Sequence, residues 1–431
     1  MKYNKIKVKK SKRIKGSKYR KVNYSKIKQK NWDIMPIYYV KNYINKSTKI
    51  IFILSLLFLI CLINKSNSFF FLKSEKNIIN GNIRNDIIDV NINKQFEKMK
   101  EKYCIDSFLK PYLDKVNLLS HLYHKKIEYF KKNKNNIHIC MSFNDRYVYQ
   151  ILVSITTVLI NCDKNNTFIT YYILCNPDVK NSTLSILKSL IYKYPSNLEI
   201  IFYDMGSNFI DRNDARLSQS AYYRLLTPVL LDVDKIIYLD GDTIILNDLN
   251  EMYELPLNDN YILGILDYVR DGIDFLGIKS EKYINSGVIL LDLKKIRNDN
   301  KIYQLINMTK TEKSFDGHDQ TIINYVFYPK IGILPSKFAI WNFSDKKDIQ
   351  IYLSLIRTKI DINELEESFL NPTIIHNVLC WPKIFFPSTR YSEDLTTCRE
   401  RGNCFCEKYH NLWYYYANKT DYYDNITHFF K

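Results

Sequence analysis

The run Ile236–Leu239 (Ile-Ile-Tyr-Leu) constrains this chain more than any other stretch. Four consecutive β-branched, aromatic and aliphatic residues suit a strand buried on both faces of a mostly parallel sheet. The run ends in Asp240-Gly241-Asp242. Carboxylates at the carboxyl end of a buried strand sit where open α/β sheets bind ligands, and the glycine between them allows both to converge on one cation. Two hard oxygen donors suit manganese or magnesium better than zinc, and such an ion can bridge to a nucleotide diphosphate. The alternative is a pair of solvated loop carboxylates. Asp232-Val233-Asp234 has the same spacing but precedes the strand, where a turn explains it.

From Ile137 onward strand and helix signals alternate, the mark of an α/β fold. Strands are expected at Ile137–Met141, Phe168–Leu174, Leu198–Tyr203, Tyr261–Leu266 and Gly287–Leu291. Helices are expected at Tyr147–Ile160, Thr183–Tyr194, Ser218–Leu231 (interrupted near Pro228), Lys294–Met308 and His318–Phe327. Ahead of this block, Pro111–Phe130 carries Tyr112, Leu113, Val116, Leu119, Tyr123 and Ile127 at helical spacing and reads as a stem helix. No GxGxxG or Walker A loop occurs, which argues against dehydrogenases and P-loop enzymes; phosphates would have to be held by metal and side chains.

The net charge of +18 suggests a polyanion partner until it is located. Residues 1–49 hold 17 Lys and Arg against Asp33 alone, or +16, which leaves +2 for all that follows. The globular part is therefore near neutral and carries no nucleic-acid surface. The uncharged run Ile50–Ile63 spans roughly 21 Å as a helix, short of a ~30 Å hydrocarbon core unless it extends to Leu72. Its long basic prefix and the lack of a small-residue cleavage site favour an uncleaved signal anchor over a cleaved signal. The expected layout is a basic cytoplasmic tail (1–49), an anchor (50–72), a stem (73–135) and a catalytic domain (136–425). Cys398, Cys404 and Cys406 read as a disulfide cluster in a secretory-route protein rather than half a zinc site.

Several ordered motifs then resemble one family. These are Ser220-Ala221-Tyr222-Tyr223-Arg224-Leu225, Tyr238-Leu239-Asp240-Gly241-Asp242-Thr243, Tyr283-Ile284-Asn285-Ser286-Gly287-Val288 and Gly317-His318-Asp319-Gln320. The late segment Leu412–Ala417 adds a fifth. Together, over about residues 137–423, they resemble glycosyltransferase family 8, retaining enzymes that use nucleotide sugars. The resemblance implies a GT-A type fold, a Rossmann-like mixed sheet flanked by helices. It implies Asp240, Asp242 and His376 as metal ligands, although His376 by itself reads as a core histidine after Thr373-Ile374-Ile375. It places Arg224 near the diphosphate or the metal carboxylates, with a surface ion pair as its plainer reading. Asn144, Asp145 and Tyr147 fall where the family grips uridine, against a plain capped loop. Asp267, Asn285, Asp319 and Gln320 fall where it holds the donor sugar, with Asp319 and Gln320 nearest the chemistry; helix capping is the simpler reading of Asp319.

Two departures stand out. Asn144 occupies a position where the family usually has aspartate. The family's His-x-x-Gly-x-x-Lys-Pro-Trp is here His376-Asn377-Val378-Leu379-Cys380-Trp381-Pro382-Lys383, without the glycine and with the β-phosphate candidate Lys383 one residue late. The resemblance implies transfer of a hexose or pentose from a UDP-sugar to a glycan, protein or lipid acceptor with manganese or magnesium. With the signal-anchor reading of residues 50–72, the expectation is a single-pass type II protein of the Golgi or endoplasmic reticulum with its catalytic domain in the lumen. A nucleotide-sugar-binding pseudoenzyme and a membrane-anchored scaffold are the competing readings.

Overall fold

The computed structural model describes residues 85–90, 101, 107–212, 218–267, 277–311, 318–341, 349–350, 352–353, 360–378, 385 and 407–430. The expected tail, anchor, cysteine cluster and Lys383 lie outside these residues. Among the described residues no helix is long and apolar enough to cross a membrane.

A nine-stranded sheet organises the domain: β1 (Ile87–Val90), β2 (Asn117–His124), β3 (Asn135–Phe143), β4 (Thr167–Cys175), β5 (Leu198–Asp204), β6 (Lys235–Leu239), β8 (Ile262–Leu266), β9 (Ile284–Asp292) and β10 (Ile331–Ile333). Their spatial order is β1-β2-β5-β4-β3-β6-β9-β8-β10. Strands β5, β4, β3 and β6 run parallel, whereas β9 is antiparallel to both β6 and β8. The sheet is thus mixed rather than mostly parallel. The chain moves outward from β3 through β4 to β5, then crosses to β6 on the other side of β3. That reversal leaves a crevice at the carboxyl ends of β3 and β6, the usual ligand position in such sheets.

Continuous apolar strands arise because the core has two layers. Ile237 and Leu239 of β6 pack in one, Ile236 and Tyr238 in the other. Strand β4 divides the same way, with Tyr171 and Ile173 facing one layer and Tyr172 and Leu174 the other. Period-two alternation thus becomes invisible as polarity, since both faces are dry.

Helix α1 (Val148–Asn161) packs against the segment that follows Asp242. Its buried hydroxyls reach the short strand β7 (Thr243–Ile245): Ser154 Oγ lies 2.9 Å from Thr243 Oγ1, and Thr157 Oγ1 accepts from Ile245 N at 3.0 Å. Asn161 Nδ2 donates to Ile245 O at 2.9 Å and to Tyr416 OH at 2.8 Å, which ties in the C-terminal helix α2 (Glu407–Ala417). Strand β7 pairs antiparallel with β12 (Ile374–His376), and β12 pairs with β11 (Ile340–Trp341), forming a second, three-stranded sheet.

Three sequence expectations change. Pro111–Phe130 is not one helix: its ends fall in the helices Lys110–Leu113 and Ile127–Asn133, while Asn117–His124 between them forms β2, paired antiparallel with β5, so the sheet extends ahead of residue 136. Leu118, Ser120 and Leu122 are buried and their neighbours are not, a period of two that the partner strand selects over the helical spacing also present. Ser218–Leu231 is a 3-10 helix over Gln219–Leu226 followed by an α-turn from Thr227 to Leu230, with Pro228 in its first turn. Lys294–Met308 divides into Leu293–Asn298 and Lys301–Thr311 around Asn300, which adopts φ 55°, a conformation asparagine tolerates.

Candidate active site

Two segments distant in sequence bring Asp240, Asp242 and His376 together. One donor atom from each lies within 4.8 Å of the others. His376 Nε2 is 3.3 Å from Asp242 Oδ1 and 3.9 Å from Asp240 Oδ2. Residue pairing makes this possible, because β12 places His376 opposite Thr243. Asn377, fully buried, donates to Asp242 O from both its backbone N (3.1 Å) and Nδ2 (2.6 Å). Gly287 lines the triad from β9, and its N–H and C=O are engaged by Asn285 Oδ1 at 2.9 Å and Asp240 N at 2.7 Å. A Cβ there would intrude on both His376 and Asp240 Oδ2. Two carboxylates, an imidazole nitrogen and a wall without a side chain fit a hard divalent cation.

Arg224 holds this corner from the opposite side and is 6% exposed. Its Nη2 donates to Asp240 Oδ1 at 2.9 Å, its Nη1 to Ser286 O, and its Nε lies 2.9 Å from Ala221 O and 3.2 Å from Asp319 Oδ2. Burial acts to lower its pKa, but Asp240, Tyr238 and Asp319 outweigh that and hold it charged. Because Arg224 occupies Asp240 Oδ1, it leaves Oδ2 turned towards His376. The surface ion pair that Arg224 could have made is excluded by its depth.

Asp319 begins the helix α3 (His318–Phe327) and is 4% exposed. Burial raises its pKa above the ordinary carboxylate value, and Arg224 opposes that rise. Ser286 Oγ donates to Asp319 at 3.4 Å. Next along, Gln320 Nε2 and Asn285 Nδ2 each donate to Asp267 Oδ2 at 3.0 Å, and Gln320 Oε1 accepts from Ser286 N at 3.1 Å. Asp267, Asn285, Asp319 and Gln320 therefore form one linked polar group beside the metal corner.

The residues after β3 take a different position. Asn144 caps the following turn by accepting from Arg146 N at 3.0 Å. Asp145 is engaged by helix α4 (Asn181–Lys193): Oδ1 accepts from Thr183 Oγ1 at 2.5 Å and Lys180 N at 3.2 Å, and Lys180 Nζ lies 3.4 Å from Oδ2. Burial tends to raise its pKa, yet these donors bring it below the usual value. Tyr147 is 46% exposed at the crevice mouth. Asp145 thus acts as a bracket between two helix starts, while Asn144 and Tyr147 remain at the carboxyl end of β3.

Sequence reasoning did not single out Tyr238, Ser286 or Asn377 as site residues. Tyr238 has the same strand parity as Asp240, and Asn377 adjoins His376, so proximity to the candidates was the available signal.

Residues 138–376, more than half the chain, match the model of Glycosyl transferase family 8. General stress protein A of Bacillus subtilis (strain 168) is 23% identical over 250 residues, covering 56% of this chain and 84% of that protein. Lipopolysaccharide 1,2-glucosyltransferase of Escherichia coli is 26% identical over 220 residues, covering 48% of this chain and 62% of that enzyme. The apo structure of WbbM, a bifunctional glycosyltransferase, shares the fold with a TM-score of 0.52 at 19% identity, over 68% of this chain and 51% of that one. The chain spans less than two thirds of the length of the last two.

Proposed function

Since the chain belongs to glycosyltransferase family 8, we propose that it transfers a sugar from a UDP-sugar donor to an acceptor hydroxyl, with retention and with the help of a divalent cation. The observation that carries this reading is the convergence of Asp240, Asp242 and His376 at the sheet's switch point. A hexose is favoured as the transferred group by the glucosyltransferase among its relatives. When bound, the cation neutralises charge growing on the departing diphosphate.

The chain's own residues do the rest. Arg224 orients Asp240 through its Nη2 bond to Oδ1, and Asn377 fixes the loop that carries Asp242. Gly287 keeps the wall thin enough for the ligands to meet. Asp267, Asn285 and Gln320 form the polar shelf for the donor sugar, with Gln320 on the side where an oxocarbenium-like sugar is supported. Asp319 is held between Arg224 and Ser286. A carboxylate so committed is a poor nucleophile, which favours front-face attack by the acceptor hydroxyl over a covalent sugar on Asp319. Anchorage through residues 50–72 belongs to the same proposal and rests on sequence; the bacterial relatives lend no support to a Golgi address.

The test is UDP release by the full-length chain with a panel of UDP-sugars, with and without manganese. Metal-dependent release that Asp242→Ala abolishes is expected. Binding of UDP without turnover of any donor would instead make the chain a pseudoenzyme, and a sugar covalently trapped on Asp319 would overturn front-face attack.

A further inference from the structure

Tyr238 is in β6, and Asp240 follows directly after the strand's last residue, Leu239; Arg224 contacts both. Its ring supports the Arg224 guanidinium, whose Cζ is 4.1 Å from the ring centroid. Its hydroxyl is 2.6 Å from Ser142 Oγ. Ser142 stands on β3, two residues before Asn144, and β3 pairs with β6 with Cys140 opposite Tyr238. The hydroxyl contact therefore spans the switch point, from the strand that ends in the nucleotide loop to the strand that ends in the metal corner.

We propose that Tyr238 is a positioning residue that couples these two halves of the donor site through Arg224 and Ser142. The inference rests on the metal- and UDP-dependent reading above. Arg224 has partners at Nε, Nη1 and Nη2, and these fix where the fork points. Bonds made along N–H directions restrain rotation within the guanidinium plane more than tilt out of it. The ring beneath supplies that restraint, and it keeps Asp240 Oδ1 engaged and Oδ2 facing His376. Tyr238 is 1% exposed, and at that depth an unpartnered hydroxyl is costly. A core filler needs only the ring; the hydroxyl acquires a use in its bond to Ser142, which registers β3 against Arg224. The aromatic face thus acts on the metal carboxylate, and the hydroxyl acts on the nucleotide side.

This division of labour gives a separable experiment on the full-length chain, with manganese alone titrated first and UDP titrated next at saturating manganese. Wild type provides the reference. Tyr238→Phe keeps the aromatic face, so manganese affinity is expected within twofold of wild type while UDP affinity falls about fivefold, the worth of one hydrogen bond. Ser142→Ala should show the same pattern, and the double variant should lose no more than either single one. Tyr238→Met keeps an apolar side chain but removes the face, and manganese affinity itself should drop about tenfold. Additive losses in the double variant, or unchanged UDP affinity in both single variants, overturn the coupling. Unchanged manganese affinity in a folded Tyr238→Met overturns the role of the ring, and the Phe and Ala variants decide the matter should Tyr238→Met fail to fold. Failure of wild type to bind manganese or UDP would instead overturn the functional reading and this inference with it.

Discussion

Gly287→Ala is the substitution that most directly tests the metal corner. The added methyl would lie 2.3 Å from His376 Cε1, 2.5 Å from Asp240 Oδ2 and 2.8 Å from His376 Nε2. Ordinary contact begins near 3.5 Å, so both ligands must retreat, by up to about 1.2 Å. Metal sites tolerate ligand displacements of about 0.2 Å, well below that. A disturbance of this kind lowers metal affinity about 10–100-fold, or about 1.4–2.7 kcal/mol. Overpacking should cost about 1–3 kcal/mol of fold stability as well, and a control is needed to separate the two effects. Gly332→Ala supplies it: its methyl would meet Leu263 Cδ2 at 2.3 Å and Asn260 Nδ2 at 2.9 Å on the edge strand β10, touching none of the site residues. Calorimetric titration with manganese, alongside denaturant unfolding, should show lost stability in both variants and lost metal affinity in Gly287→Ala alone. A Gly287→Ala protein that folds and binds manganese like wild type would refute joint ligation by Asp240 and His376.

Three further outcomes follow from the same geometry. Asn377→Ala removes the 2.6 Å bond to Asp242 O while sparing the backbone one; manganese affinity should fall about tenfold, and an unchanged titration would show that the Asp242 loop holds itself. Asp319→Asn breaks a buried pair with Arg224 and should cost up to about 3–5 kcal/mol in denaturant unfolding, together with donor turnover; wild-type values for both would remove Asp319 as Arg224's support. Glu199 is buried on β5 beside His121 Nε2 (2.5 Å) and Lys131 Nζ (2.7 Å). Burial acts to raise its pKa, but its hydrogen bonds to His121 and Lys131 outweigh that and lower it from 4.5 to about 2. The folded value lies below the unfolded one, so this stabilisation is complete above about pH 4.5 and is lost as pH falls towards 2, about 3 kcal/mol in all. Glu199→Gln should flatten acid unfolding across that window, and an unaltered acid limb would count against the buried pair.

Strands β3 to β6 and the helix His318–Phe327 could be read from the chain because their signals are local. A dry strand needs a continuous apolar run, and a strand end followed by Asp-Gly-Asp exposes two carboxylates whatever surrounds them. The family motifs added Arg224, Asn285, Asp319, Gln320 and His376 as members of one site. What they left open was contact. His376 after Ile374-Ile375 reads equally as a core residue, and only pairing of β12 with β7 brings it to Asp242. Pro111–Phe130 carries spacings that serve a helix or a strand, and β5 decided between them by offering an edge. Asp145 falls in the loop that the family motifs assign to uridine, and only the fold shows that Thr183 and Lys180 at the start of helix α4 bond to it. Local sequence determined which segments are apolar, which turns carry charge and in what order they come. Tertiary structure alone decided which of those charges meet, because strand order and direction depend on partners far along the chain that no local period records.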